Sequence, residues 1–321
     1  MGFGERFQSS WRLVQQTWSV MRDHKKLMLF PLLVTFFTLA MIPFILAPVA
    51  LQPTGHRYNE PAHWKAVSQS VFTESSIKAV KEASSSSSRA ARDQLRVTAQ
   101  AMGYVAVVYF LAMFMATFFN VAFYREIMNA LQGQPVSIRE GLRFAFGRLP
   151  AIFLWSLFAG LVGWLIKSLE ERVGLVGKLI LRLVGLAWSA ASVFVIPVLV
   201  MDEEAGSNPV AVLRRSAETL RKAWGEAVIG FLGIQFGGVI VLLASIVLLG
   251  VSGYLSATLR TPWVFGGTFV FWLLGLFSFV YLMSVGNQIY RCALYLYAST
   301  GQIAGPFEKD SLDLAWKIKK A

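Results

Sequence analysis

Six stretches of this chain contain no Asp, Glu, Lys or Arg, and that pattern constrains its fold more than any other feature. The gaps run from Lys26 to Arg57, Arg96 to Arg125, Arg148 to Lys167, Arg182 to Asp202, Glu226 to Arg260 and Arg260 to Arg291. Each holds at least 18 residues, and a helix needs about 20 apolar residues to cross roughly 30 Å of hydrocarbon. Trimmed by hydropathy, the gaps predict six spanning helices near 27–50, 101–123, 150–167, 183–201, 227–250 and 263–286. The chain is 55% hydrophobic and 15% charged, against about 25% charged in soluble domains. The expected class is therefore an all-α integral membrane protein. Aromatic residues at the span ends, including Trp11, Trp18, Tyr124, Trp263, Tyr290, Tyr295 and Tyr297, fit interfacial belts.

The first span starts too late and runs too long for a cleaved signal peptide, and no clear small-x-small site follows it. Orientation follows from Lys and Arg in the loops. Residues 1–26 carry five, 124–149 four, 202–226 four and the tail from 287 five, whereas 167–173 carry two and 251–262 one. Both termini are thus expected on the cytoplasmic side of the cell membrane, the inner membrane in a Gram-negative cell. The 52–100 loop holds seven basic residues and lies near the length where the rule loses force. The net charge of +12 predicts contact with anionic headgroups.

An amphipathic pattern occurs three times. In 3–22, Phe3, Phe7, Trp11, Val14, Trp18 and Met21 step by three and four, with Arg6, Arg12 and Arg22 elsewhere on the helix. In 137–149, Ser137 and Glu140 have capping-box spacing, and Ile138, Leu142, Ala145 and Leu149 share a face. In 208–224, Asn208 can cap and Pro209 suits the first turn; Val210, Leu213, Ala217, Leu220 and Trp224 share a face, away from Arg214, Arg215 and Arg221. Helices of this kind lie in the interface plane. Each precedes two spans. The expected organisation is three repeats of interface helix plus transmembrane hairpin: 1–134 (with the 52–100 outer loop), 135–207 and 208–299, then a cytoplasmic tail 300–321 bearing Lys317, Lys319 and Lys320. Ordinary amphipathic connectors of a polytopic protein are the alternative.

The outer loop has few large apolar residues, and Ser84 to Ser88 read as a flexible break. Pro61 can open a short helix through Phe72, and Ala90 to Gln100 can extend the second span. His56 and His63 lack further metal ligands at set spacing, so they are expected in a solvated loop. The loop is either a lid or a dispensable insertion.

Three groups of residues carry a family likeness. They are Ser10-Trp11, Trp18-Ser19-Val20-Met21 and Lys25 to Pro31; then Trp188-Ser189, Phe194-Val195-Ile196-Pro197, Asp202-Glu203, Arg215-Ser216 and Trp224-Gly225; and finally Asn287-Gln288-Ile289-Tyr290-Arg291 with Ala293-Leu294-Tyr295 and Tyr297-Ala298. Together they resemble a mainly prokaryotic family of polytopic membrane proteins defined only as a domain of unknown function. The layout is more distantly similar to the membrane region of some glycerophosphodiester phosphodiesterases, whose soluble barrel this chain lacks. The resemblance implies a polytopic helical fold and supplies no catalytic residue.

Polar residues within the expected spans are the natural candidates for function. Asn120, Ser189, Ser192, Gln235 and Ser278 define a candidate intramembrane path, none of them ionisable; interhelical hydrogen bonds explain such residues equally. Lys178 and Arg182, four apart, either hold a lipid phosphate or snorkel to the outer interface. Together with Arg214, Arg215 and Arg221 they are the candidate headgroup contacts. Asp202, Glu203 and Glu204 are expected to pair with Arg214, Arg215 or Arg221. Gly233 and Gly237 form a small-xxx-small pair on the fifth span, and Pro43 and Pro197 are either hinges or packed kinks. Phosphate loops, paired helical histidines, Ser elbows and acid pairs at membrane depth are missing from the sequence, and the single Cys292 excludes an intramolecular disulfide. No cofactor, metal or nucleic acid is expected. The reading is a non-enzymatic protein that organises or associates with anionic membrane lipids, a membrane-protein partner or a second copy of itself. A passive channel or transporter of small solutes or lipids is the first alternative and a lipid-modifying enzyme the second.

Overall fold

The computed structural model describes residues 15–50, 54–72, 89–170, 172–204, 206, 208–222 and 242–307. All regular structure among the described residues is helical. In chain order the helices are α1 (15–23), α2 (Leu29–Ala50), α3 (Pro61–Phe72), α4 (Arg89–Leu131), α5 (Ile138–Gly147), α6 (Leu149–Glu170), α7 (Leu175–Ala191), α8 (Val195–Met201), α9 (Pro209–Lys222), α10 (Leu242–Thr258) and α11 (Pro262–Thr300), with a 3₁₀ turn Lys25–Met28 before α2. Among the described residues, five segments are long and apolar enough to cross a membrane: Lys25–Ala47, Gly103–Leu131, Leu149–Glu170, Val176–Met201 and Pro262–Thr300.

The observed helices differ from the hydropathy reading at their ends. The second runs on from the expected 123 to Leu131, and the last from the expected 286 to Thr300. At about 1.5 Å per residue, the 43 residues of α4 and 39 of α11 are far longer than a bilayer requires. Charged and amide residues end the hydropathy signal there, yet the backbone ladder continues because the extra turns are packed. The fifth expected span, 227–250, lies outside the described residues up to 241; its described part continues past 250 as α10, to Thr258. Gln235 and the Gly233–Gly237 pair also lie outside, as do residues 3–14 of the first amphipathic stretch, Trp224 and the lysines of the tail. The expected short helix from Pro61 through Phe72 and the outward extension of the second span are both present.

The chain divides into two compact units. The smaller comprises Leu33–Ala116. Within it the Tyr104 hydroxyl donates to the Phe44 carbonyl at 2.9 Å, joining α4 to α2. Its loop has a small core of its own. His63 is fully buried, its Nδ1 2.6 Å from Thr54 Oγ1, with the Tyr58 and Trp64 rings edge-on at 5.0 and 5.3 Å. The Trp64 indole N–H donates to the Tyr58 carbonyl at 2.9 Å. The expectation of a solvated His63 is thus corrected: two aromatic rings that cannot hide elsewhere in so short a segment pack onto it.

The larger unit comprises the segments Met1–Leu32 and Thr117–Ala321. Its core is built from helix ends. Phe118 to Leu131 of α4, Val195 to Val200 of α8, one face of α9 and Val285 to Leu296 of α11 supply most of the buried side chains, with Val20, Leu27 and Phe30. α9 packs on α6, α7, α8 and α11. The face it buries is Val212, Ser216, Thr219 and Leu220, rotated from the apolar stepping through Val210, Leu213 and Ala217. The Trp155 and Trp188 rings stack at 6.1 Å and hold α6 to α7.

Candidate functional site

The packed end of the larger unit is organised by three polar joints. In the first, α4 ends at Gly133, whose φ of +72° suits a residue without Cβ, and the chain returns as α5. Ser137 caps α5, its hydroxyl accepting from the Glu140 N–H at 3.4 Å. The reciprocal arm of the expected capping box is not made by Glu140. Glu126, fully buried on α4, accepts the Ser137 N–H at 2.6 Å through Oε2 and the Asn129 side-chain N–H at 3.2 Å through Oε1. A carboxylate can be buried when hydrogen bonds replace water, and its charge complements the positive end of α5. α5 crosses α4 at Gly141, where a Cβ would lie 2.8 Å from Glu126 Cγ and 2.9 Å from the Ala122 carbonyl oxygen. The sequence reading missed Glu126 because a charge at a span end looks like an ordinary headgroup residue. The signal available was its place eleven residues before a capping serine.

The second joint repairs a broken span. Helix geometry lapses at 192–194, between α7 and α8. Pro197 has no N–H, and its ring clashes with the carbonyl four residues earlier. Ser216 of α9 fills the gap: its hydroxyl donates to the Ala191 carbonyl at 2.6 Å and accepts the Phe194 N–H at 3.0 Å. Pro197 is therefore a packed, stitched break. The sequence reading names Ser216 only within a family motif and gives it no role, because one serine among the charges of a surface helix carries no pattern. The third joint ties the two longest helices, Arg291 Nη1 donating to the Tyr124 hydroxyl at 3.4 Å.

Around these joints lies a charged rim. Arg215 Nε is 3.7 Å from Asp202 Oδ2, one of the expected pairings. Glu203 pairs instead with Arg148, at 2.7 Å, and Arg214 with Glu218 one turn along α9, at 3.0 Å. The Arg125 and Arg148 guanidiniums both lie over the Phe144 ring, 4.9 and 5.4 Å from its centroid. Arg221 and Lys222 are exposed at the end of α9. Large apolar side chains stand beside the arginines: Trp18 is 51% exposed four residues before exposed Arg22, Phe146 61% three after exposed Arg143, and Val210 59% four before exposed Arg214.

The other candidates are scattered. Lys178 is exposed on α7, and exposed Arg182 places Nε 3.7 Å from Oε1 of half-buried Glu170. Ser192 donates to the Ser189 carbonyl at 3.1 Å, and Ser278 to the Leu274 carbonyl at 2.8 Å. Asn120 is half-buried on α4. Among the described residues no hydrogen bond joins Asn120, Ser189, Ser192 and Ser278 to one another across helices, nor does any group of three His, Cys, Asp or Glu side chains approach metal-binding geometry.

No curated protein and no solved structure matches the chain. Residues 100–305, which include Glu126, Ser216, Arg291 and most of the packed end, match the model of a family of unknown function, DUF6159. The N-terminal motif, Ser10 to Pro31, falls outside that match. The match covers well over half of the 321 residues, and the chain belongs to this family.

Proposed function

We propose that this protein is a non-enzymatic, multi-pass component of the cell membrane whose basic face organises anionic lipid. The observation that carries this reading is the repeated pairing of an exposed large apolar residue with an exposed arginine within one helical turn, on α1, α5 and α9. An apolar side chain sunk into the headgroup region beside an arginine facing phosphate is how an interfacial helix binds. α9 carries four basic residues, Arg214, Arg215, Arg221 and Lys222, against one acid, Glu218. Its exposed pair with Glu218 is cheaply exchanged for a lipid phosphate.

On this reading both termini are cytoplasmic, the spans number six, and the three amphipathic helices head three repeated units. The order α5 then α6 and α7–α8, followed by α9 then α10 and α11, supports such a repeat. The competing channel draws less support, since Ser192 and Ser278 spend their hydroxyls on their own helices.

The test is native mass spectrometry of protein released from vesicles of mixed phosphatidylglycerol and phosphatidylcholine. The wild-type chain should retain phosphatidylglycerol preferentially. Each basic side chain near an anionic surface contributes about 1 kcal/mol, so neutralising Arg214, Arg215 and Arg221 to Gln should cut the preference by on the order of 100-fold. An unchanged preference in a variant with unchanged thermal unfolding sinks the reading. Solute flux through sealed vesicles that disappears with Asn120→Leu would favour the channel instead.

A further inference from the structure

We propose that a groove along α11 is a binding site for one acyl chain of a membrane phospholipid whose headgroup donates a hydrogen bond to Asn287. The groove lies between α10 and α11, with a volume of about 720 Å³, and its walls include Leu242, Leu248, Phe271, Phe279, Met283 and Asn287. That volume falls within the roughly 300–1,000 Å³ typical of sites for small organic ligands.

Three observations choose the occupant. The first is chemistry. Nine of the thirteen lining residues are apolar, and the hydroxyls of two of the other four, Ser245 and Thr268, donate to carbonyls of their own helices. Apolar cavities stay dry and take hydrocarbon, so the groove suits an alkyl chain and not an aqueous solute. The second is shape and surroundings. Along α11 the lining runs from Thr268 to Asn287, about 28 Å at 1.5 Å per residue. That is longer than the roughly 15 Å that one leaflet contributes to the hydrocarbon, so a single acyl chain can lie extended along it. The residues flanking it on α11, among them Leu274 and Phe277, are exposed on a helix apolar enough to span a membrane. The groove therefore opens sideways, where acyl chains are the solvent. The third is polarity at one end. Asn287 Oδ1 is buried and has no hydrogen-bond partner, and a buried acceptor left unpaired is costly. Where the groove meets Asn287, a ligand needs an N–H or O–H. The ammonium of phosphatidylethanolamine and the hydroxyls of phosphatidylglycerol supply one; the quaternary ammonium of phosphatidylcholine does not. This site shares no residue with the basic face of α1, α5 and α9, so either can fail without the other.

Gly275 permits a clean test. It lines the groove, and a Cβ built on it meets nothing within 4 Å, so Gly275→Phe should fill the groove without displacing protein. Gly267 also has open space on α11 but is not part of the lining, and Gly267→Phe serves as the control. The full chain is reconstituted in vesicles containing a phospholipid with a photoreactive group midway along one acyl chain, irradiated, and the labelled peptides are mapped by mass spectrometry. Label should concentrate between residues 268 and 287. It should fall at least fivefold with Gly275→Phe and hold with Gly267→Phe. With phosphatidylethanolamine or phosphatidylglycerol as the labelled lipid it should exceed that with phosphatidylcholine, and Asn287→Leu should erase the difference. Label spread evenly over all the apolar helices overturns the proposal, as does label that survives Gly275→Phe or is equal for the three lipids. A cross-link from Met283 to residues 227–241 of this chain in place of lipid also overturns it.

Discussion

The two ends of the larger unit's helices pose different physical problems. At the packed end, the last turns of α11 meet α9 and, through Tyr295 and Phe194, the start of α8, and the end of α4 is tied to α5 and α11. There Phe123, Ile127, Phe194, Leu199, Ile289 and Leu294 are almost completely buried. Away from it, the same apolar residue types lie open: only 11% of the most apolar stretch of Pro262–Thr300 is buried, and Phe271 is 77% exposed. Hydrocarbon around a helix is as apolar as leucine, so spans gain no hydrophobic driving force from meeting one another. Close packing, hydrogen bonds and charge must then fix the arrangement. They are concentrated where Glu126, Ser216, Arg291 and the rim pairs lie. Position in the packed end, more than residue type, should therefore decide what a substitution costs.

The sharpest way to break that comparison uses two glycines. Leucine at Gly141 would drive a side chain into Glu126 and the Ala122 carbonyl, contacts already below 3 Å for Cβ alone. Overpacking of this kind costs about 1–3 kcal/mol and sometimes more, and α5 should lose its seat. Leucine at Gly267, where a Cβ meets nothing within 4 Å, should be neutral or gain up to about 1 kcal/mol from helix propensity. Thermal unfolding in one detergent compares them directly. Equal midpoints would show that the packed end does not carry the stability assigned to it.

The next largest effects should come from the polar joints. Ser216→Ala leaves the Phe194 N–H and the Ala191 carbonyl without their partner, and an orphaned buried group costs about 1–3 kcal/mol. Hydrogen exchange should quicken around 191–198 and in α9. Glu126→Ala removes the acceptor of the Ser137 N–H at a similar cost, about 1–3 kcal/mol, with faster exchange confined to 134–145. If either change leaves exchange as it was, that joint is incidental.

These joints mark where sequence reasoning runs out. Hydropathy makes the apolar helices legible because lipid exposure asks only for apolar residues over some 20 positions. It misplaces their ends because Arg125-Glu126 and Asn287-Gln288 look the same whether water or protein receives them. Helical stepping identifies α9 and its Asn208 cap, whose side chain accepts the Val210 N–H at 2.9 Å. It misjudges which face is buried, because the core here wants the hydroxyl of Ser216 more than the methyls of Val210. In the smaller unit, Pro61 announces α3, but the burial of His63 depends on where Tyr58 and Trp64 fold back, which no periodicity records. His63→Ala should loosen that cluster alone and speed proteolysis within 54–66, leaving the unfolding of the larger unit unmoved.

The smallest expected effect lies on the rim, at the pair Arg148–Glu203. The distance is short, 2.7 Å, yet the Glu203 side chain is 82% exposed and that of Arg148 only 15%. Water screens the carboxylate, so Glu203→Gln should change stability by no more than about 0.5 kcal/mol. Arg148→Gln should cost more, because the guanidinium also sits 5.4 Å from the Phe144 centroid; a cation over a ring contributes about 0.5–1 kcal/mol at a partly exposed site. A double-mutant cycle separates the two contributions: the coupling of Arg148 to Phe144 should exceed its coupling to Glu203, and only the second should shrink in high salt. The reverse order would mean that the rim is drier than its exposure indicates, and that the packed end extends outward through its ion pairs.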